Sequence, residues 1–358
     1  MRLVDLRSSA PAPTLRVVAQ ASAAAELLRL IGVLFSDEPS EYDVGRERLD
    51  RIRASVPQDL AEEIQAHRAT DDGKDFLVLS LIAADLPDPS GVDELLAALH
   101  EDPAMSWRLL LTHVAQKLDP RPDLDARLLA GDERTLDEVR ELVEAAGGDP
   151  SVEELLDVDP VAYGRQVADI VERFEAQVWR GLADEAMGPI RRDADHRNER
   201  LASGADPTAV VVEATNGYEP PDDAGLRRIV LLPSYWMRPW LVVGHRGTDI
   251  EVISTVVADE FLVLPSEAPP PALLKLAKAL SDESRLRLLR RMASGPVSLT
   301  EATDALDVTK ATAHHHLSIL RQAGLVSMRG AGRSTRYALR HDPADAARDA
   351  LADYCCRP

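Results

Sequence analysis

Between Thr309 and Gln322 the side chains that can donate hydrogen bonds or carry positive charge fall at helical spacing, and no carboxylate interrupts them. Ala313, Leu317 and Leu320 lie four and three residues apart, so on a helix they share one buried face. The opposite face then presents Ala311, His314, His315, Ser318 and Gln322, with Lys310 and Arg321 towards its edges and Thr309 and Thr312 at its start. Small and hydrogen-bonding side chains let a backbone approach base edges, while cations meet phosphate. A carboxylate on such a face would repel a polyanion. Downstream, Arg329, Arg333, Ser334 and Arg336 surround Gly330-Ala331-Gly332, where Leu325–Arg329 and Thr335–Arg340 alternate as the two strands of a hairpin. Cations on a hairpin tip suit a phosphate backbone or the minor groove. The implied chemistry is non-covalent recognition of double-stranded DNA. Lys310, Arg321, Arg329, Arg333 and Arg336 would supply charge; His314, His315, Ser318 and Gln322 would read bases.

A set of short helices must hold that face in place. Ala272–Leu280 reads as the first, and Asp282 is placed to cap a second whose inner stripe is Leu286, Leu289 and Met292. Gly295-Pro296 ends it. Ser298 and Glu301 have capping-box spacing for a third helix, with Ala302, Ala305 and Leu306 facing inward. Thr309 caps the fourth, and Gly324 suits a left-handed stop.

The stretch from Leu273 to Arg340 resembles the ArsR family of winged-helix regulators. The residues that carry the likeness are 279–289, Ala-Leu-Ser-Asp-Glu-Ser-Arg-Leu-Arg-Leu-Leu, with Thr312–Leu317 and Leu320–Val326. Arg228–Tyr235 is similar, more weakly, to the uncharacterised N-terminal region of long actinobacterial regulators of this type. The resemblance implies a homodimer, operator binding through the fourth helix and the wing, and ligand-relieved repression. The family's metal sensors carry a Cys-x-Cys signature on the third helix; here Leu299–Leu306 contains no sulfur, so neither metal nor cofactor is expected there.

Composition places this unit on a larger, differently charged chain. At 358 residues, 45% hydrophobic and 28% charged, the protein reads as globular with two or three domains. Its net charge of −20 is unevenly distributed: residues 270–341 hold 12 basic against 5 acidic side chains, whereas the first 265 residues hold 27 against 51. A basic module can engage phosphate while an acidic body repels non-specific DNA. Val17–Phe35 is the nearest approach to a membrane span, but Glu26 and Arg29 interrupt it and it reads as an amphipathic helix. With no signal-peptide layout and only Cys355 and Cys356, a cytoplasmic protein without disulfides is expected.

The fold class is α+β, mainly α. A helical N-terminal domain (1–264) with a small antiparallel sheet at about 205–262 precedes a Pro-rich linker (265–271), a winged helix-turn-helix (272–341) and a C-terminal helix (342–358) suited to a dimer contact. Residues 1–16 read as a strand or loose arm. Thr135 with Glu138 and Ser151 with Glu154 have capping-box spacing, and Asp159–Leu201 reads as one or two helices bending at Gly188-Pro189. Ala209–Thr215, Arg228–Leu232, Trp240–His245 and Ile250–Val257 read as strands.

Other clusters have plainer readings. His314–His316 are consecutive, about 100° apart on a helix, whereas chelation from one helix wants spacings of three or four. Asp193, Asp195, His196 and Glu199 read as a solvated helix face, and Cys355-Cys356 as ordinary thiols. Tyr235, Trp236, Arg238 and Trp240 could line a pocket for a small effector, or plug a sheet edge. No catalytic signature is present. The sequence therefore points to a homodimeric, sequence-specific DNA-binding regulator acting as a repressor, with no membrane partner. An enzyme with an appended DNA-binding unit and a protein-interaction adaptor remain as alternatives.

Overall fold

The computed structural model describes residues 15–36, 42–67, 75–87, 89–119, 121–148, 150–221, 225–246, 249–262, 269–330, 335–340, 348, 351–352 and 354–355. Strand β1 (Arg16–Ala19) leads into helix α1 (Ala23–Leu34), followed by α2 (Arg46–Arg53), α3 (Gln58–Ala66), α4 (Asp75–Leu79), α5 (Val92–Glu101), α6 (Met105–Leu118), α7 (Pro122–Leu129), α8 (Glu133–Ala145) and α9 (Pro150–Asp157). Two long helices, α10 (Pro160–Gln177) and α11 (Ala183–Ala202), precede α12 (Pro207–Ala214). Strands β2 (Tyr218–Glu219), β3 (Arg228–Ser234), β4 (Val242–Arg246) and β5 (Ile250–Val256) complete the body. The C-terminal unit consists of α13 (Pro271–Leu280), α14 (Glu283–Met292), α15 (Leu299–Leu306), α16 (Lys310–Gln322), β6 (Val326–Arg329) and β7 (Arg336–Leu339).

The body sheet has the order β1-β3-β5-β4 and is mixed, not antiparallel as expected. β1 and β5 both run parallel to β3, and only β4 is antiparallel to its neighbour β5. Parallel strands are covered on both faces, so their side chains read as continuous apolar runs. Accordingly Val230, Leu232 and Val252 enter the large helical core, whereas Ile229, Leu231 and Ile253 meet Val210, Val211, Ala214 and Tyr218 on the other face.

Several local expectations are corrected. Residues 209–215 are not a strand: α12 begins behind Asp206, whose side chain accepts from the Ala209 amide at 2.8 Å, with Pro207 at the first helical position. The chain between 159 and 201 breaks at a 3-10 turn, Trp179–Gly181, and α11 runs through Pro189 unbroken. Asp132 rather than Thr135 caps α8. Ser151 lies inside α9. Glu26 and Arg29 are wholly buried, so α1 is not amphipathic. Glu26 Oε1 accepts from the Tyr235 and Trp236 amides at 2.7 and 2.9 Å, which anchors the loop after β3 to α1. Asp193 is likewise buried, paired with Arg197 through two 2.8 Å bonds.

In the C-terminal unit the caps stand where the sequence put them. Asp282 accepts from Arg285, Ser298 and Glu301 form a reciprocal box, and Thr309 accepts from Thr312 at 3.2 Å. Gly324 has φ +73°. The core gathers Leu276, Leu288, Leu289, Met292, Ala302, Leu306, Ala313, Leu317 and Leu320 against Tyr337 of the wing. Leu286 is the exception on α14: it is 47% exposed, and Leu288 fills the interior instead. Ala305 on α15 is also exposed.

Candidate nucleic-acid interface

The three-helix scaffold presents α16 with its apolar stripe turned inward, as the spacing of Ala313, Leu317 and Leu320 requires. The first half of its outer face is open: Thr309, Lys310, Ala311, Thr312 and His314 are exposed, and His315 is half-buried. His316 turns towards α14, its Nδ1 3.8 Å from Asp282, and burial holds its imidazole below the usual value. Beyond α16, β6 and β7 pair antiparallel as the wing, which is fixed to the scaffold by reciprocal 2.8 Å bonds between Val297 and Tyr337. Arg329 and Arg336 project from it and are exposed, with Glu301 4.0 Å from Arg336. Arg333 and Ser334 lie outside the described residues.

The second half of α16 does not stand free. Ser318 and Arg321 are buried and Gln322 is half-buried, and Thr215 and Asn216 of the body are bonded to the last two. Arg321 donates to the Thr215 carbonyl, and no carboxylate among the described residues lies within ion-pairing distance of it. Burial pushes its guanidinium down to about 10, which leaves it charged at neutral pH. Asn216 Nδ2 donates to the Gln322 carbonyl at 2.5 Å, and its Oδ1 accepts from Arg340 at 3.1 Å. The Trp240 indole lies parallel to the His314 ring, with centroids 6.4 Å apart and planes 5° from parallel. Sequence spacing alone placed Arg321, Ser318 and Gln322 on an open surface; in the folded chain they belong to an internal contact. A small cavity of about 40 Å³ remains there, bordered by Thr215, Asn216, Trp240, Arg321 and Gln322.

Sequence reasoning also missed that the body adds a strand to the wing. β2 pairs in parallel with β6, Tyr218 opposite Met328 and Glu219 opposite Arg329, so the second sheet has the order β2-β6-β7. Met328 donates to the Gly217 carbonyl at 2.7 Å. The signal available was Asn216-Gly217, two residues at home at positive φ, and both adopt it (+52° and +106°).

Of the four effector candidates, two border open space. Tyr235 and Arg238 line a cleft of about 710 Å³ between the body and α13, together with Arg48, Glu185, Arg192 and Lys275. The Tyr235 hydroxyl donates to Glu185 at 2.7 Å, and Arg238 pairs with Asp259, which Lys275 also reaches at 3.1 Å. Trp236 is fully buried behind them, and Trp240 faces the recognition helix instead. Cys355 is an exposed free thiol; Cys356 is outside the described residues. Among the described residues no cluster of three potential metal ligands exists, and no helix is long and apolar enough to cross a membrane.

Known proteins match the C-terminal part of the chain in sequence. A family profile described as a helix-turn-helix domain matches residues 280–329. The chain is 40% identical over 70 residues to the uncharacterized HTH-type transcriptional regulator YceK of Bacillus subtilis, covering 19% of this chain and 70% of that protein. It is 33% identical over 99 residues to the biofilm growth-associated repressor of Agrobacterium fabrum, covering 26% and 85%. A crystal structure of an ArsR family transcriptional regulator aligns at 26% identity with a TM-score of 0.22, covering 24% of this chain and 87% of that one. All these matches fall on about a quarter of the chain or less.

Proposed function

The chain belongs to the ArsR family of helix-turn-helix transcriptional regulators, and from that premise we propose which of its residues meet DNA and what the rest of it does. α16 enters the major groove by its N-terminal half, where helix-turn-helix proteins make their base contacts. Lys310, Thr309 and Thr312 position it, and His314 and His315 read base edges. Arg329, Arg333, Ser334 and Arg336 lie on the backbone, with Ser318, Arg321 and Gln322 completing the face. The observation that carries this reading is the carboxylate-free, exposed start of α16 beside two exposed wing arginines. Residues 1–264 form the sensor and assembly body, 265–271 the linker and 272–341 the DNA-binding unit.

The functional unit is a homodimer acting as a repressor. Leu274 and Leu286, 53% and 47% exposed on α13 and α14, support association of two copies through this part of the chain. Dimers place two recognition helices on half-sites about one turn of DNA apart, or a multiple of that. A small-molecule effector is assigned to the cleft bordered by Tyr235 and Arg238, where aromatic, cationic and anionic groups converge.

The testing experiment is titration of the full chain and of Lys310→Ala and Arg336→Ala against duplex pools recovered from the genome and against random duplex, at several salt concentrations. Binding that weakens steeply with salt, and more weakly so in the variants, is the expected result. Retention indifferent to salt would favour the adaptor alternative instead.

A further inference from the structure

We propose that the acidic body is an intramolecular inhibitor of the recognition helix: the contacts of Thr215, Asn216 and Trp240 with α16 hold a closed state, and seating the whole of α16 in a groove requires them to open. This rests on the DNA-binding function above and adds its regulation.

Space is the first argument. A helix with its side chains is about 10–12 Å across, and the major groove is about 12 Å wide. Such a helix fills the groove and leaves no room for an indole stacked on its reading face. Trp240 nevertheless lies beside this face, its ring centroid 6.4 and 6.3 Å from those of His314 and His315, and Thr215 and Asn216 hold Arg321 and Gln322. The closed arrangement therefore offers the N-terminal half of α16 to a groove but withholds Ser318, Arg321 and Gln322.

Charge is the second. A buried guanidinium whose partner is a carbonyl rather than a carboxylate is a costly way to hold an interface. The same side chain sits on the edge of α16 where a phosphate would pair with it once the loop withdraws. The body carries 51 acidic against 27 basic side chains in residues 1–265, so keeping it beside the recognition helix also sets negative charge against an approaching duplex.

The third is that the contact is built for close approach and yet small. At Gly217, φ is +106° and an added Cβ would meet the Val326 carbonyl oxygen at 3.2 Å, so only glycine lets the loop lie this near the wing. Beyond that loop and the two-residue pairing of β2 with β6, the closure among the described residues includes Met328 packed on the cluster around Tyr218, Trp240 beside α16, and Lys275 bonded to Asp259. The cleft bordered by Arg238 and Lys275 shares those residues with the closure, so its occupant would bear directly on the balance.

If the closed state dominates, apparent affinity for DNA is lowered by the fraction of open molecules. The test uses the full chain and a random-sequence duplex as probe. The double variant Trp240→Ala/Asn216→Gly removes the stacked indole and the amide while glycine keeps the left-handed backbone at 216. It should bind the duplex about tenfold more tightly than the unaltered protein at the same salt. Hydrogen exchange on the unaltered protein gives a reading free of any folding defect: residues 214–219 should lose protection when the duplex saturates it. Equal or weaker binding by a folded double variant, or undiminished protection at 214–219 in the complex, overturns the inference and leaves DNA binding standing. Failure of both proteins to retain any duplex would overturn the two together.

Discussion

The Tyr218 hydroxyl donates to the Glu251 carboxylate at 3.0 Å, joining the strand that pairs with the wing to an interior strand of the body sheet. Glu251 is fully buried, and burial pushes its carboxyl up to about 7, against the lowering effect of the Tyr218 bond. The folded protein thus keeps this proton at pH values where the unfolded chain has lost it. Stability falls as pH rises from the ordinary value of 4.5 to about 7, and the loss is complete above that. Glu251→Gln carries no charge to bury. Its stability relative to the unaltered protein should rise across the same window by roughly 3 kcal/mol. Denaturant unfolding of both proteins on either side of the window checks this, and a difference that does not vary with pH would contradict it.

Arg329 and Arg336 are exposed on the wing. Each replacement by alanine should weaken binding to every duplex alike and reduce the slope of log affinity against log salt by about 0.9. Gln322→Ala, on the reading face, should change which sites are preferred more than how tightly DNA is held. Anisotropy titrations in a salt series distinguish the two behaviours.

Leu317 has no exposed surface and stands in the middle of the C-terminal core. Leu317→Ala should cost about 2–5 kcal/mol of stability. Ser298→Ala, which removes only the cap of α15, should cost about 1 kcal/mol. Urea unfolding monitored by circular dichroism measures both, and equal losses would argue against the packing described.

Glu26 is the anchor of the Tyr235–Trp236 loop. Glu26→Ala leaves the Tyr235 and Trp236 amides without their acceptor and the buried Arg29 charge without the carboxylate 3.5 Å away, and should destabilise the body by about 3–5 kcal/mol. Tryptophan emission should shift to the red as Trp236 loses its enclosure. Glu26→Gln, which retains an acceptor for the two amides, should be milder by both measures.

What was legible in the sequence depended on how local each signal was. Asp282, Ser298, Thr309 and Gly324 act on residues two to four positions away, so composition and spacing located the helices of the C-terminal unit closely. The same kind of signal, Asp206-Pro207, stood before α12 but was outweighed by three consecutive valines. The run Ile229–Leu232 carried the mark of a strand covered on both faces, which argues for parallel neighbours rather than the antiparallel sheet expected. Glu26 and Arg29 looked solvated because nothing nearby in sequence shows that the chain beyond β3 returns to satisfy Glu26. The candidate site divides along the same line. The exposed first turns of α16 follow from its own periodicity, whereas the covering of Arg321 depends on Thr215, 106 positions earlier.

The strand lent to the wing bears on how the C-terminal unit behaves when cut loose. With β2 in place, β6 is the middle strand of three, paired with β2 along Met328 and Arg329 and with β7 on its other side. Severing the chain after the body would bare the backbone amides and carbonyls of β6, and an unpaired strand margin is a template for another chain. Fragments beginning near Pro271 should therefore tend to self-associate at high concentration. In the intact protein, part of the body's service is to act as a chaperone covalently attached to its own client.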